Sequence, residues 1–200
     1  MPFPCAPGSF AADEPALWQA SLAPTTVILD TAPPGFAEAA PLDLDAWPII
    51  LADRTLSTGR HLILGDVDGP HRLSVRDPLK GSALAYVIVR DDAVDLRHAA
   101  AQRLDRRLAG APPMRLPPGF APTPFQRRRL AMLLDILDAV LDRGQTGVTT
   151  HEIARRHVYP AMTIGRGNEW KSSAERRRTQ RLIDEAFALM NGGYRALLRG

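Results

Sequence analysis

The chain has 200 residues, 45% apolar and 24% charged, the balance of a globular protein with room for one ordinary domain or two small ones. Its single cysteine, Cys5, excludes an internal disulfide and cannot build a zinc site alone; no apolar run approaches the roughly 20 residues of a membrane helix. The net charge of +3 is unevenly placed: residues 1–122 carry 11 Lys and Arg against 14 Asp and Glu, and residues 123–200 carry 14 against 8.

A basic segment joined to an acidic one points to a polyanion at one end of the molecule, or to a solvated basic surface. Met1 to Phe10 hold three prolines and no basic residue, so no secretory signal is expected there. A reduced, cytoplasmic setting is the expectation.

Residues 1–24 read as irregular, because prolines at 2, 4, 7, 15 and 24 interrupt regular structure, with Trp18 and Leu22 as an anchor on the body. The first strand is Thr25 to Leu29, β-branched and ended by Asp30 and Pro33-Pro34-Gly35. His61–Leu64 and His71–Val75 flank Asp66-Val67-Asp68-Gly69-Pro70, and Asp-Gly between two apolar runs predicts a hairpin. Leu84 to Val89 is the strongest strand signal. Together these predict a small antiparallel β meander.

A helix follows over Asp92–Leu108, with Val94, Leu96, Ala100, Leu104 and Leu108 near helical spacing and Asp91 and Asp92 at its positive end. Gly110 ends it. Six prolines between Ala111 and Pro124 mark a linker.

The last third is helical. Pro124 to Arg143 carries Leu130, Leu133, Leu134, Leu137 and Leu141 on one stripe, with Gly144 as its cap. Thr149 or Thr150 caps a short second helix with Glu152 in its first turn, and Ile153, Ala154, His157 and Val158 face inward. A loop runs from Tyr159 to Trp170. Ser172 or Ser173 then caps a third helix to Met190, with Glu175 near the capping-box position, Thr179, Ile183, Ala186 and Met190 buried, and Asn191-Gly192-Gly193 as its stop. The expected architecture is therefore α+β. Residues 1–110 form a small domain of meander and helix, 111–122 a proline-rich linker, and 123–200 an all-α, three-helix, helix-turn-helix-like domain.

Such domains lay the start of their last helix in the major groove. Here that start reads Trp170 to Arg181. At 100° per residue, Ser173, Arg177 and Arg181 lie opposite the Ile183 stripe, and Arg176 and Arg178 project to the sides. Arginine pairs bidentately with guanine edges, and Gln180 is of the type that pairs with adenine. Lys171, Ser172 and Ser173 are candidate phosphate holders, as is the helix N-terminus. Arg155 and Arg156 on the short helix would lie over the backbone, with Arg127, Arg128 and Arg129 as further phosphate contacts. The alternative is a solvated face whose arginines pair locally with Glu175, Asp184 and Glu185. A dozen residues separate Val158 from Ser172, where the usual turn has about 3–4, so the motif is a variant.

The run Thr150-His151-Glu152-Ile153-Ala154, Glu169-Trp170-Lys171-Ser172-Ser173, Arg176 to Leu182 and Ala188 to Leu198 resembles one family. It is a proteobacterial domain-of-unknown-function family, described as a type VI secretion system transcription factor-like DNA-binding domain and found on integrative and conjugative elements. Trp18, the Val27-Ile28-Leu29 strand, the Leu62–Leu64/Leu73–Val75 hairpin and the Arg97–Gly110 helix resemble its longer members. The resemblance implies a regulator of element excision and horizontal gene transfer, or an antiactivator that binds another transcription regulator instead of DNA. It implies double-stranded DNA as partner, RNA polymerase or another regulator as a second one, and no membrane. Longer members carry a further N-terminal domain, which this chain is expected to lack. The clustered cations favour DNA over the antiactivator role.

Other signals carry less. His151-Glu152 is followed by His157 at i+6, off the face that a His-Glu-x-x-His zinc site needs. Asp66-Val67-Asp68-Gly69 resembles half a calcium loop without the closing bidentate Glu. Gly165-Arg166-Gly167 is too short for a phosphate loop, Asp43 and Asp45 lack a partner acid, and Cys5 has no nearby histidine. The expectation is therefore no enzyme, no metal and no cofactor.

Overall fold

The computed structural model describes residues 15–36, 42–76, 83–141 and 147–199. The chain divides into two compact units, Met1–Ala121 with Leu198–Gly200, and Pro122–Leu197. The first is a five-stranded sheet carrying one helix and the second is all helical, so the fold is α+β.

The strands are β1 (Thr26–Thr31), β2 (Ile50–Leu56), β3 (Gly59–Leu64), β4 (His71–Val75) and β5 (Leu84–Val87), in spatial order β2-β3-β4-β1-β5. β2–β3, β3–β4 and β1–β5 are antiparallel, but β1 lies parallel to β4, with Val27 opposite Leu73 and Leu29 opposite Val75. The expected antiparallel meander is thus corrected to a mixed sheet. The chain between β1 and β4 is long enough for the crossover that parallel neighbours require. It holds β2, an edge strand that the sequence does not announce. Ile-Leu-Ala-Asp-Arg-Thr-Leu is exposed along nearly its whole length, so it shows no alternation of apolar and polar positions.

The expected hairpin is present. Asp66–Pro70 connects β3 to β4, with Leu62 paired to Leu73 and Leu64 to His71. Helix α1 (Val94–Leu108) starts two residues later than expected and has no side-chain cap. It lays Ala100 and Leu104 on a core of Val27, Leu29, Leu62, Leu64, Leu73 and Val75. Arg97 is also buried. Its guanidinium pairs with Asp91 at 2.6 Å and donates to the Ala20 carbonyl at 3.1 Å, which holds the irregular segment before β1 against the helix. Within that segment Trp18 and Leu22 are half-buried and Ala23 is buried. Residues 1–14, with Cys5, lie outside the described residues.

The second unit holds α2 (Pro124–Leu141), α3 (Thr150–Ile153) continued by a wider π turn to Val158, α4 (Gly167–Ser172), α5 (Ala174–Ala188), a second π turn (Leu189–Gly193) and α6 (Tyr194–Leu197). On α2 the buried residues are Leu133 and Ile136, while Leu134 and Leu141 are exposed, so the expected leucine stripe is rotated. Gly144 and Arg143 fall outside the described residues. Asn191-Gly192-Gly193 kinks the chain rather than stopping it: Gly192 sits at φ 124°, a value open to glycine, and α6 continues from there. Met190, expected inside, is exposed.

Candidate nucleic-acid interface

A core of Leu133, Ile136, Ile153, Leu182, Ile183 and Ala186 fixes α5 against α2 and α3. Burial of Thr179, Leu182, Ile183 and Ala186 turns one side of α5 inward. Thr179 survives at 0% exposure because its hydroxyl donates to the Glu175 carbonyl one turn back, at 2.8 Å. The opposite side, with Arg177 and Arg181 one turn apart, is left to solvent.

Both ends of this surface are organised by caps. At α3, Thr149 and Glu152 form a capping box: the threonine hydroxyl accepts from the Glu152 N–H, and the Glu152 carboxylate accepts from the Thr149 N–H and hydroxyl. The Thr149 N–H, then its hydroxyl, hold the Glu152 carboxyl below its ordinary value, with Arg156 and Arg155 adding to the effect. Of the two candidate serines, Ser173 caps α5. Its extended backbone breaks the helix and its hydroxyl accepts from the Arg176 N–H at 3.0 Å.

The expected cap is thus Ser173 rather than Ser172, and the last helix ends at Ala188 rather than Met190. Lys171 and Ser172 belong to α4, a separate element whose first residues, from Gly167, lie in the stretch expected to be loop. Ser172 spends its hydroxyl on the Asn168 and Glu169 carbonyls, and Ser173 also donates to the Trp170 carbonyl. Both hydroxyls act locally on helix ends.

The cations divide by what they touch. Arg176 and Arg177 reach back to the Lys171 and Ser172 carbonyls at 3.1 and 3.0 Å, which orients them while leaving their charge without a carboxylate among the described residues. Arg178 stands 5.8 Å over the Tyr159 ring. Arg155, Arg156, Lys171 and Arg181 are exposed and form no ion pair with any described residue. The expected alternative of local neutralisation has one instance among the described residues. Arg129 pairs with Glu185 at 2.6 Å, which uses that arginine between α2 and α5. Asp184 accepts from Gln180 at 3.0 Å, which occupies the side chain suited to adenine.

An open cleft of about 620 Å³ lies between the start of α3 and the α4–α5 junction. Arg155, Arg166, Lys171 and Arg176 line it, with Glu152 as its carboxylate and Trp170 in its wall. Trp170 is 8% exposed and meets the His151 ring edge-on at 5.0 Å, and His151 Nε2 lies 3.1 Å from the Gly165 carbonyl. His151 is thus a packing partner of the cleft wall.

The family model described as "T6SS, Transcription factor, DNA binding domain" matches residues 87–199, more than half of the chain. The chain belongs to this family. A second model, for a domain of unknown function (DUF7012), matches residues 25–86, the sheet of the first unit. Neither a curated protein nor a solved structure matches the chain. The family's span begins at Val87, so it takes in α1 and the proline-rich stretch as well as α2 to α6.

Among the described residues one other group has metal-ligand character: Asp66, Asp68 and His71 in the first unit. Its charge is already met. Arg107 binds both Asp66 oxygens, at 2.5 and 3.0 Å, and Arg103 binds Asp68 and the Gly69 and Pro70 carbonyls. Burial raises the Asp66 carboxyl, but Arg107, the Val67 N–H and His71 outweigh it and bring it to about 2. Burial and then Arg103 push His71 below its ordinary value, against the pull of Asp66. The Asp-Val-Asp-Gly stretch is a hairpin turn clamped to α1 by two arginines.

Proposed function

We propose that this protein is a transcriptional regulator that binds double-stranded DNA through residues 123–200. In this reading α2, α3 and α5 act as a variant helix-turn-helix, with α4 inserted before the reading helix. Arg177 and Arg181 face the base edges. Arg155, Arg156, Lys171 and Arg176 contact phosphates, Arg178 lies at the flank, and Ser172 and Ser173 support the helix junction. The reading assigns the chain no catalytic step and places it in the cytoplasm.

The observation that carries it is the set of exposed arginines and one lysine with no carboxylate partner among the described residues, gathered around the start of α5 in a member of a DNA-binding family. Unpaired cations are costly to cluster unless an external anion meets them, and phosphate neutralisation with counterion release supplies that return. No helix among the described residues is long and apolar enough to cross a membrane. The resemblance to members on integrative and conjugative elements makes excision and transfer promoters the first targets to try.

The test is footprinting over the region upstream of the protein's own gene, with an unrelated duplex as control. A protected stretch of one or two helical turns supports the reading. No duplex binding at low salt, together with a transcription regulator that co-purifies in stoichiometric amount, would replace it by the antiactivator role.

A further inference from the structure

We infer that the cleft between α3 and the α4–α5 junction is a seat for one backbone phosphodiester, with Arg166 and the Trp170 indole N–H as specific contacts. This rests on the DNA-binding reading and goes further: it names the anion's position and two residues that the reading does not use.

Three observations converge. First, the cleft wall carries four cations, Arg155, Arg166, Lys171 and Arg176. The first three make no ion pair with a described residue, and Arg176 donates to a backbone carbonyl. Second, Glu152, the carboxylate that lines the cleft, is turned into its capping box by Thr149. Glu169 lies just outside, against Gly165, where a Cβ would meet its side chain at 2.6 Å. Third, Trp170 is nine-tenths buried, yet its indole N–H has no hydrogen-bond partner among the described residues. Among them Thr26 Oγ1 is the one sealed polar atom without a partner, so the indole N–H is not sealed there, and Trp170 lines the cleft. An indole N–H that reaches the surface beside a basic cleft is free to donate to an acceptor from outside.

The shape selects the ligand. Small-molecule sites bury most of their ligand in enclosed, largely apolar pockets. This cleft is open and its charge is spread over both walls, which suits an anion that arrives on a polymer and passes through. Held there, a phosphate would set the register of α5 while Arg177 and Arg181 meet the bases, the division between positioning and reading that protein–DNA interfaces use.

The experiment uses the full chain, 15N-labelled on its three tryptophans, with three probes: duplex from the protein's upstream region, a random-sequence duplex, and inorganic phosphate. Loss of one indole resonance in Trp170→Phe assigns the signal. Both duplexes are expected to move the Trp170 indole N–H and leave those of Trp18 and Trp47 in place. Arg166→Ala, an exposed change, is expected to weaken both duplexes by the same factor and lower the salt slope by about 1. If the duplexes bind while neither the indole signal nor the Arg166→Ala slope responds, the seat is wrong and the DNA reading stands. If inorganic phosphate moves the indole and duplex does not, the site takes a free anion and the inference fails. If neither duplex binds at low salt, both readings fall.

Discussion

The two units employ the same residue type in opposite ways. In the first, four arginines are tied to carboxylates around the sheet and α1. Arg97 holds Asp91, Arg103 holds Asp68, Arg107 holds Asp66, and Arg60 bridges Asp45 and Asp53. Arg97 and Arg103 are buried or nearly so, and their forks also bind backbone carbonyls, so they staple α1 to neighbouring loops. In the second unit Arg129 follows that rule, and the cluster around α5 does not. A guanidinium that already faces a carboxylate is structural. In the proposed reading, those left exposed around α5 beside carbonyls or an aromatic ring keep their charge for DNA.

The largest effect should come from the first unit. Arg103→Ala leaves Asp68 buried without its counter-charge and is expected to cost about 3 kcal/mol. Urea unfolding reads this. DNA affinity of the folded variant should be unchanged, and a loss below 1 kcal/mol would dissolve the distinction between the units. Next, Arg177→Ala with Arg181→Ala should lower DNA affinity by about 2–3 kcal/mol, some 30- to 150-fold, without moving the thermal midpoint, because both side chains are exposed. A stability change instead would place them with the staples.

A smaller effect concerns acid. The Asp66 carboxyl falls from 3.8 to about 2 in the folded state, so its contribution is present above pH 4 and is lost as pH drops toward 2. His71 is lowered as well, so it also opposes folding once pH falls below 6.5, where the unfolded chain takes up the proton first. The first unit is therefore expected to weaken on acidification. Asp66→Asn should flatten the limb below pH 4 by an amount on the order of 1–2 kcal/mol. An acid limb identical to that of the parent protein would show that the clamp contributes nothing. Smallest is Arg129→Ala. Its pair with Glu185 is half-exposed, so calorimetry should register under 1 kcal/mol.

Much of the fold was legible where local signals are strong. The β3–β4 hairpin follows from apolar strands around Asp-Gly, and a threonine cap before Glu152 follows from Thr149-Thr150, of which the fold uses Thr149. What escaped depends on distant neighbours. Parallel pairing of β1 with β4 has no local signature, and β2 hides because solvent meets its side chains. On α2, Ile136 rather than Leu134 turns inward, because α3 and α5 decide which side is covered. Gly165 and Gly167 suggest loop, yet Gly167 begins α4. The basic cluster was visible as residue types, but the pairing of Arg129 and the placement of Arg166 and Trp170 at one cleft are tertiary facts.

The most direct test of the central claim is a fluorescence-anisotropy titration of duplex DNA over a salt series, with the parent protein and the Arg177→Ala/Arg181→Ala variant side by side. The account predicts tight, salt-sensitive binding by the parent, with affinity and salt slope both reduced in the variant. Equal binding by the two proteins at every salt concentration would contradict it.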